Sequence, residues 1–224
     1  EDAAPVVRGN RCHDNALAGI GVQDGASPKL IGNECKANKE SGIGLRGGAH
    51  AEIVKNKIVD NALVAIGVTG KSDATISENE LAREGGMPPM IAVLDDSRAV
   101  VTGNTIRGGG VAAILVKGTA EIRDNKLLGD GPRGGGPPNF GVWVHPGASV
   151  TFTGNHVERW RHALSASGAA KVVANGNEVS SFIGVAIVVK DTKEPAVVAG
   201  NIATSDDPKA KAADVSGSAS RSEE

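Results

Sequence analysis

His145 lies two residues beyond Trp143 in the stretch Phe140-Gly-Val-Trp143-Val-His145. An imidazole titrates near neutral pH and acts as a general base once a neighbour tunes it. An indole offers a flat apolar face on which a sugar ring can stack. Lys117, Arg107 and Arg133 carry the charge to pair with carboxylate or sulfate groups. Asp130 stands in the Pro/Gly-rich stretch 128–140, and Glu158-Arg-Trp160-Arg161-His162 is the densest run of chemistry-bearing side chains in the chain. His145 and Lys117 are therefore the candidate catalytic residues. Trp143, Arg107, Arg133, Asp130, Trp160 and Arg161 are the candidate ligand contacts. Nothing in the sequence offers a metal or cofactor motif.

What must position these residues is a repeat. Asn10, Asn33, Asn56, Asn79, Asn104, Asn125, Asn155, Asn177 and Asn201 follow one another at gaps of 23, 23, 23, 25, 21, 30, 22 and 24 residues. Five residues before each Asn stands an apolar side chain, from Pro5 and Pro28 to Val172 and Ala196. Three before stand Val7, Leu30, Ile53, Ile76, Val101, Ile122, Phe152, Ala174 and Val198; two after, Cys12, Cys35, Ile58, Leu81, Ile106, Leu127, Val157, Val179 and Ala203. The even steps between these columns are strand periodicity with the marked side inward. A further apolar pair recurs later in each unit, as in Ile20/Val22 and Ile187/Val189. The pattern predicts an all-β solenoid of about nine coils, about 40 Å long at the stacking distance of strands, with the Asn residues forming a ladder at one corner. A leucine-rich repeat would need more Leu and a helical back, and a six-residue β-helix beat is absent.

Composition agrees. Aromatics are 3 Phe and 2 Trp with no Tyr, so the core must be thin and aliphatic, and Gly, at 31 residues, supplies tight corners. With 24 Lys+Arg against 26 Asp+Glu the net charge is −2, which argues against a nucleic-acid partner or an anionic membrane surface. No apolar run approaches the roughly 20 residues of a membrane span.

The phrase Pro28-Lys-Leu-Ile-Gly-Asn33-Glu-Cys35-Lys-Ala-Asn38-Lys-Glu-Ser-Gly42-Ile43 resembles the repeat of right-handed parallel β-helix proteins. It is most similar to the group named for carbohydrate-binding proteins and sugar hydrolases, which includes NosD-like proteins. The resemblance covers about residues 1–203. It implies a polysaccharide or oligosaccharide ligand and an extracellular or periplasmic setting. It leaves the activity open, since members include lyases, hydrolases, epimerases and non-catalytic scaffolds. The paired-Asp, Asp-Pro-His-Asp and Arg-x-Pro-x-x-Arg motifs of the catalytic members are missing. Two nucleotide-like matches, Gly42-Ile-Gly-Leu-Arg-Gly47 and Ala65-Ile-Gly-Val-Thr-Gly-Lys-Ser72, fall on core columns, where no helix can follow to hold phosphate.

The expected domains are a β-helix over 1–203 and a cap and tail over 204–224, with a short helix begun by Asp207 and Pro208. The chain reads as a piece of a longer β-helix. Cys12 and Cys35 share an inward column one coil apart and are expected to be packed thiols. The longer gaps place extra residues at one corner, 83–90 and 128–140, flanking a short coil, and so predict a notch. Extended-glycan binding or processing beside that notch is the leading expectation. If the chain is an enzyme, it would be a polysaccharide lyase or glycoside hydrolase. The alternative is a non-catalytic protein-interaction scaffold or spacer of a larger surface protein. The 128–140 loop folding over Phe140 and Trp143 would favour that alternative; His13, His50 and His156 show no evident partners.

Overall fold

The computed structural model describes residues 4–94, 96–108, 110–132 and 138–217. It holds 27 strands and, among the described residues, no helix, so no helix is long and apolar enough to cross a membrane. The strands form three parallel sheets of nine. Each coil gives one strand to each sheet: Val6–Arg8, Arg11–His13 and Ile20–Val22 in the first, Val197–Ala199, Ile202–Thr204 and Lys211–Ser216 in the last. The first sheet precedes each ladder Asn, the second follows it, and the third closes the coil.

The expected columns are the register partners. Val7 pairs with Leu30, Cys12 with Cys35, and Ile20 with Ile43, and the pairing continues coil by coil to Val189 with Val215. Equivalent positions therefore stack, and the aliphatic columns close into one core in which Leu30, Ile53, Ile76, Val101 and Ile122 are fully buried. Cys35 is buried and Cys12 half-buried, both as free thiols. Burial is the main force pushing the Cys35 thiol up to about 12, and the neighbouring Cys12 adds to it.

The corner between the first and second sheets is built by two residues. The one before each ladder Asn takes the left-handed conformation: Gly9, Gly32, Gly103, Gly154, Gly176 and Gly200, with Lys55, Glu78 and Asp124 in the remaining coils. That conformation carries no steric penalty for glycine, which is why glycine recurs there. The Asn side chain then fills the turn. In the middle of the rod the Asn104 backbone N–H and Nδ2 both donate to Asn125 Oδ1 at 2.9 Å, while Asn104 Oδ1 accepts the same pair from Asn79. Nδ2 also donates to Ile76 O at 2.8 Å and Thr102 O at 3.1 Å.

A second ladder escaped the sequence reading. Asn15 donates to Asn38 Oδ1, and Asn38 to Asn61 Oδ1 at 2.8 Å, at the corner between the second and third sheets. These residues lie five after each of the first three ladder Asn, so the column was available in the sequence. It ends at Arg83, a residue only 8% exposed whose guanidinium donates to the carbonyls of Asn61, Leu63 and Pro88. Burial lowers the pKa of this arginine, while Asp60 pulls it up.

The expected helix after Asp207 does not form. Asp207 caps only a turn, accepting the backbone N–H groups of Lys209 at 2.9 Å and Gly184 at 3.2 Å. Lys211–Ser216 then pairs as a strand with Val185–Lys190. An open sheet edge offers a ladder of backbone hydrogen bonds, and this outweighs a local Asp-Pro helix signal. The tail from Ser218 onward lies outside the described residues.

Candidate functional site

The structure divides the candidate residues between two ends of the third sheet. At the far end of its strands, Lys117 and His145 extend the pairing of Val116 with Val144 and stand side by side. Lys117 is exposed and His145 half-buried. The indole of Trp143 lies 4.4 Å from the His145 ring, centroid to centroid, and meets Phe140 edge-on at 5.8 Å. Phe140 in turn lies 5.2 Å from His162. Phe140, Trp143, His145 and His162 thus form one aromatic group on the outer side of the sheet, with Trp143 still partly open to solvent. Leu115, next to Trp143 in register, also faces outward but is only 8% exposed.

Burial is the larger force lowering the pKa of His145, and the Lys117 ammonium adds to it; its Nε2 is buried without a hydrogen-bond partner. Burial also lowers that of His162, with Arg161 contributing, although the His162 hydrogen bond to Val185 O opposes this. Both imidazoles are therefore neutral at pH 7. A folded-state pKa below the unfolded one means the unfolded chain binds more protons, so stability is present above about pH 6.5 and is lost as the pH falls below it. The thermal midpoint is expected to fall between about pH 7 and about pH 5.5, and His162→Gln to flatten that fall in calorimetric scans. A midpoint drop unchanged by His162→Gln would remove His162 from this account.

At the near end, the corner between the second and third sheets holds a pocket of about 320 Å³ lined by Arg107, Gly108, Leu128, Gly129, Asp130, Glu158 and Arg159. Arg107 and Asp130 stand at its wall, with Arg159 Nη2 donating to Asp130 O at 2.8 Å, while no residue of the 83–90 segment lines it. Arg133 lies outside the described residues. Arg161 is half-buried, and its backbone N–H donates to the carbonyl and the side-chain oxygen of Asn139.

Trp160 is a correction. It is 1% exposed, with Nε1 donating to Leu127 O at 3.2 Å, and is a core residue rather than a ligand contact. It stands five residues after Asn155, the place Asn15, Asn38 and Asn61 take in the first three coils, and Phe182 repeats it one coil later. The corner that the early coils fill with amides is filled there with rings.

The histidines read as unpartnered also find partners one register step away. His50 Nδ1 lies 3.1 Å from Asp73 and His156 Nδ1 3.2 Å from Glu178, while His13 meets the adjacent Asp14 at 2.8 Å. His50 and Asp73 line a shallow groove of about 530 Å³ on the first sheet, with Lys29, Glu52, Arg98 and Glu121. A second groove, of about 460 Å³, runs over the third sheet across the first three coils, between Leu17, Glu40 and Ser41 on one side and Gln23, Arg46 and Thr69 on the other. Its floor is Gly21, Gly44 and Gly67, stacked in register. Among the described residues no three His, Cys, Asp or Glu side chains converge as a metal site requires.

The family model for the right handed beta helix region matches residues 1–81, and the three-sheet register of that segment continues to Ser216. The chain folds as a parallel β-helix of nine coils, whose first 81 residues are similar to that family. The match is to this family as a whole, not to the carbohydrate-binding and sugar hydrolase group within it. No curated protein and no solved structure matches the β-helix. The fold is one compatible with carbohydrate binding or processing.

Proposed function

We propose that this β-helix binds an extended glycan along the outer face of its third sheet. What supports the reading is one outward column, which runs Gly21, Gly44, Gly67, Ala92, Leu115, Trp143, Ser165 and Val188 in register along the rod. Glycine inside a strand weakens it and packs nothing. None of the three glycines is held by a left-handed backbone. A Cβ on Gly21 would meet nothing within 4 Å and one on Gly44 only Ser41 at 3.8 Å, whereas one on Gly67 would press on Val64 Cγ2 at 3.3 Å. Packing inside the molecule therefore leaves Gly21 and Gly44 unexplained. A flat polymer lying close to the backbone explains them and reaches Trp143, whose ring is held by Phe140 and His145 as a stacking surface.

His145 and Lys117 sit where a bound sugar would be within their reach, and a processing step would fall to them. Titrating oligosaccharides against intrinsic fluorescence tests the reading, because Trp160 is enclosed and Trp143 is the indole a ligand can touch. A saturable change is expected, with Trp143→Ala weakening binding about tenfold. A flat response across uronic, sulfated and neutral sugars would end the glycan reading.

A further inference from the structure

Charge is distributed unevenly over the three faces. On the first and second sheets, cations commonly have an acid one coil away: Lys29 and Glu52 at 3.0 Å, His50 and Asp73 at 3.1 Å, Arg11 and Glu34 at 3.7 Å, His156 and Glu178 at 3.2 Å. Such cross-strand pairs are the usual way a parallel, in-register stack avoids setting like charges against each other.

The third sheet breaks this pattern. Beside the glycine-to-tryptophan column runs a second outward column: Gln23, Arg46, Thr69, Leu94, Lys117, His145, Ser167 and Lys190. Neither column holds a carboxylate from Ile20–Val22 through Val185–Lys190; Asp214, on the final strand, is the first. Arg46 turns to an uncharged partner, donating from Nε and Nη2 to Gln23 Oε1 at 2.9 and 2.6 Å. Lys117 and Lys190 are exposed and make no ion pair among the described residues. The described acids nearest these columns stand at their edges. Asp24, Asp96 and Asp191 occupy left-handed corner positions that favour Asp for backbone reasons, and Glu40 stands at the opposite rim of the glycine groove.

Arg46, Lys117 and Lys190 belong to the second, fifth and eighth coils, so consecutive cations are three coils, about 14 Å, apart along the axis. A compact anion would touch one of them. A chain bearing charge at intervals would meet them in turn.

We propose that the third-sheet face takes a polyanionic glycan, whose carboxylate or sulfate groups pair with Arg46, Lys117 and Lys190. The proposal rests on the glycan reading above and names its ligand class. Neutral polymers would lie on the same glycines and indole but would leave the cations solvated.

Dextran, dextran sulfate and polygalacturonate separate the possibilities in affinity electrophoresis and calorimetry. Expected is binding to dextran sulfate, to polygalacturonate or to both, with dextran at least about tenfold weaker and binding to the charged polymers falling steeply as salt rises. Preference between the two charged polymers identifies sulfate or carboxylate as the group recognised. The double variant Lys117→Gln/Lys190→Gln is expected to lose about tenfold or more of this affinity, while Lys57→Gln, on the second sheet, keeps it. Both substituted lysines are exposed, so folding is not at stake. Dextran binding as tightly as its sulfate, or a double variant that binds like the parent, would overturn the charge assignment and leave the glycan face standing. Absence of binding to all three polymers would remove the glycan reading and this inference together.

Discussion

Replacing Asn104 with leucine is expected to cost about 4 kcal/mol of unfolding free energy, the largest effect of any single ladder position. The side chain is 1% exposed and sits at the centre of the stack. Leucine has the same number of side-chain heavy atoms but is bulkier and tetrahedral at Cγ, so no cavity contributes and crowding in the stack adds to the cost. What is lost is the acceptor for two donors of Asn79, the donor to Ile76 O and Thr102 O, and one partner of Asn125 Oδ1. Each buried group left without a partner costs about 1–3 kcal/mol, offset in part by the apolar transfer of leucine. Asn10→Leu supplies the contrast. Its side chain is exposed on the first coil, where water replaces the missing partners, and the cost there is expected to stay below about 1 kcal/mol. Urea unfolding at constant slope measures both. Equal costs at the two sites would show that stacking, rather than burial of the amides, stabilises the corner.

The second large effect is expected at Trp160. Trp160→Ala removes the largest enclosed side chain of the molecule and should cost about 3–5 kcal/mol, from lost burial together with the cavity left behind. Trp160→Phe keeps most of the ring and loses the hydrogen bond to Leu127 O, for about 1–2 kcal/mol. Neither substitution should change glycan affinity in the protein that remains folded. A Trp160→Ala variant of unchanged stability but weakened sugar binding would return this residue to the ligand contacts and contradict its place in the core.

Trp160 shows where the sequence could be read and where it could not. The inward columns at fixed distances from the ladder Asn are legible because in-register stacking makes each position answer to one environment, and eight or nine copies of each reveal its character. The corner after the second strand changes length from coil to coil, so the same distance no longer guarantees the same environment. An indole in a charged run, Glu158-Arg-Trp160-Arg161-His162, looks exposed when its neighbours are polar. The five-residue column through Asn15, Asn38 and Asn61 was the available clue that this position points inward. The His50–Asp73 pair was hidden for a different reason. It is a relation between coils 23 residues apart, and it becomes visible only when the outward columns are written out as carefully as the inward ones. Trp143, His145 and Lys117 were placed together by that procedure, and the structure brings them together.

The second amide ladder also bears on how such a rod can change. Coils joined by Asn15, Asn38 and Asn61 keep a strict 23-residue repeat, because an added residue between the second and third strands would pull an amide out of its stack. Arg83 ends that constraint. Both of the long excursions, at 83–90 and 128–140, occur in coils after the last of these amides, and the pocket that holds Arg107 and Asp130 opens beside the second of them. The first third of the rod is thereby fixed as an invariant measure of length. The remaining coils are free to accept inserted segments, and it is there that descendants of this chain can acquire new specificity without disturbing the stack beneath.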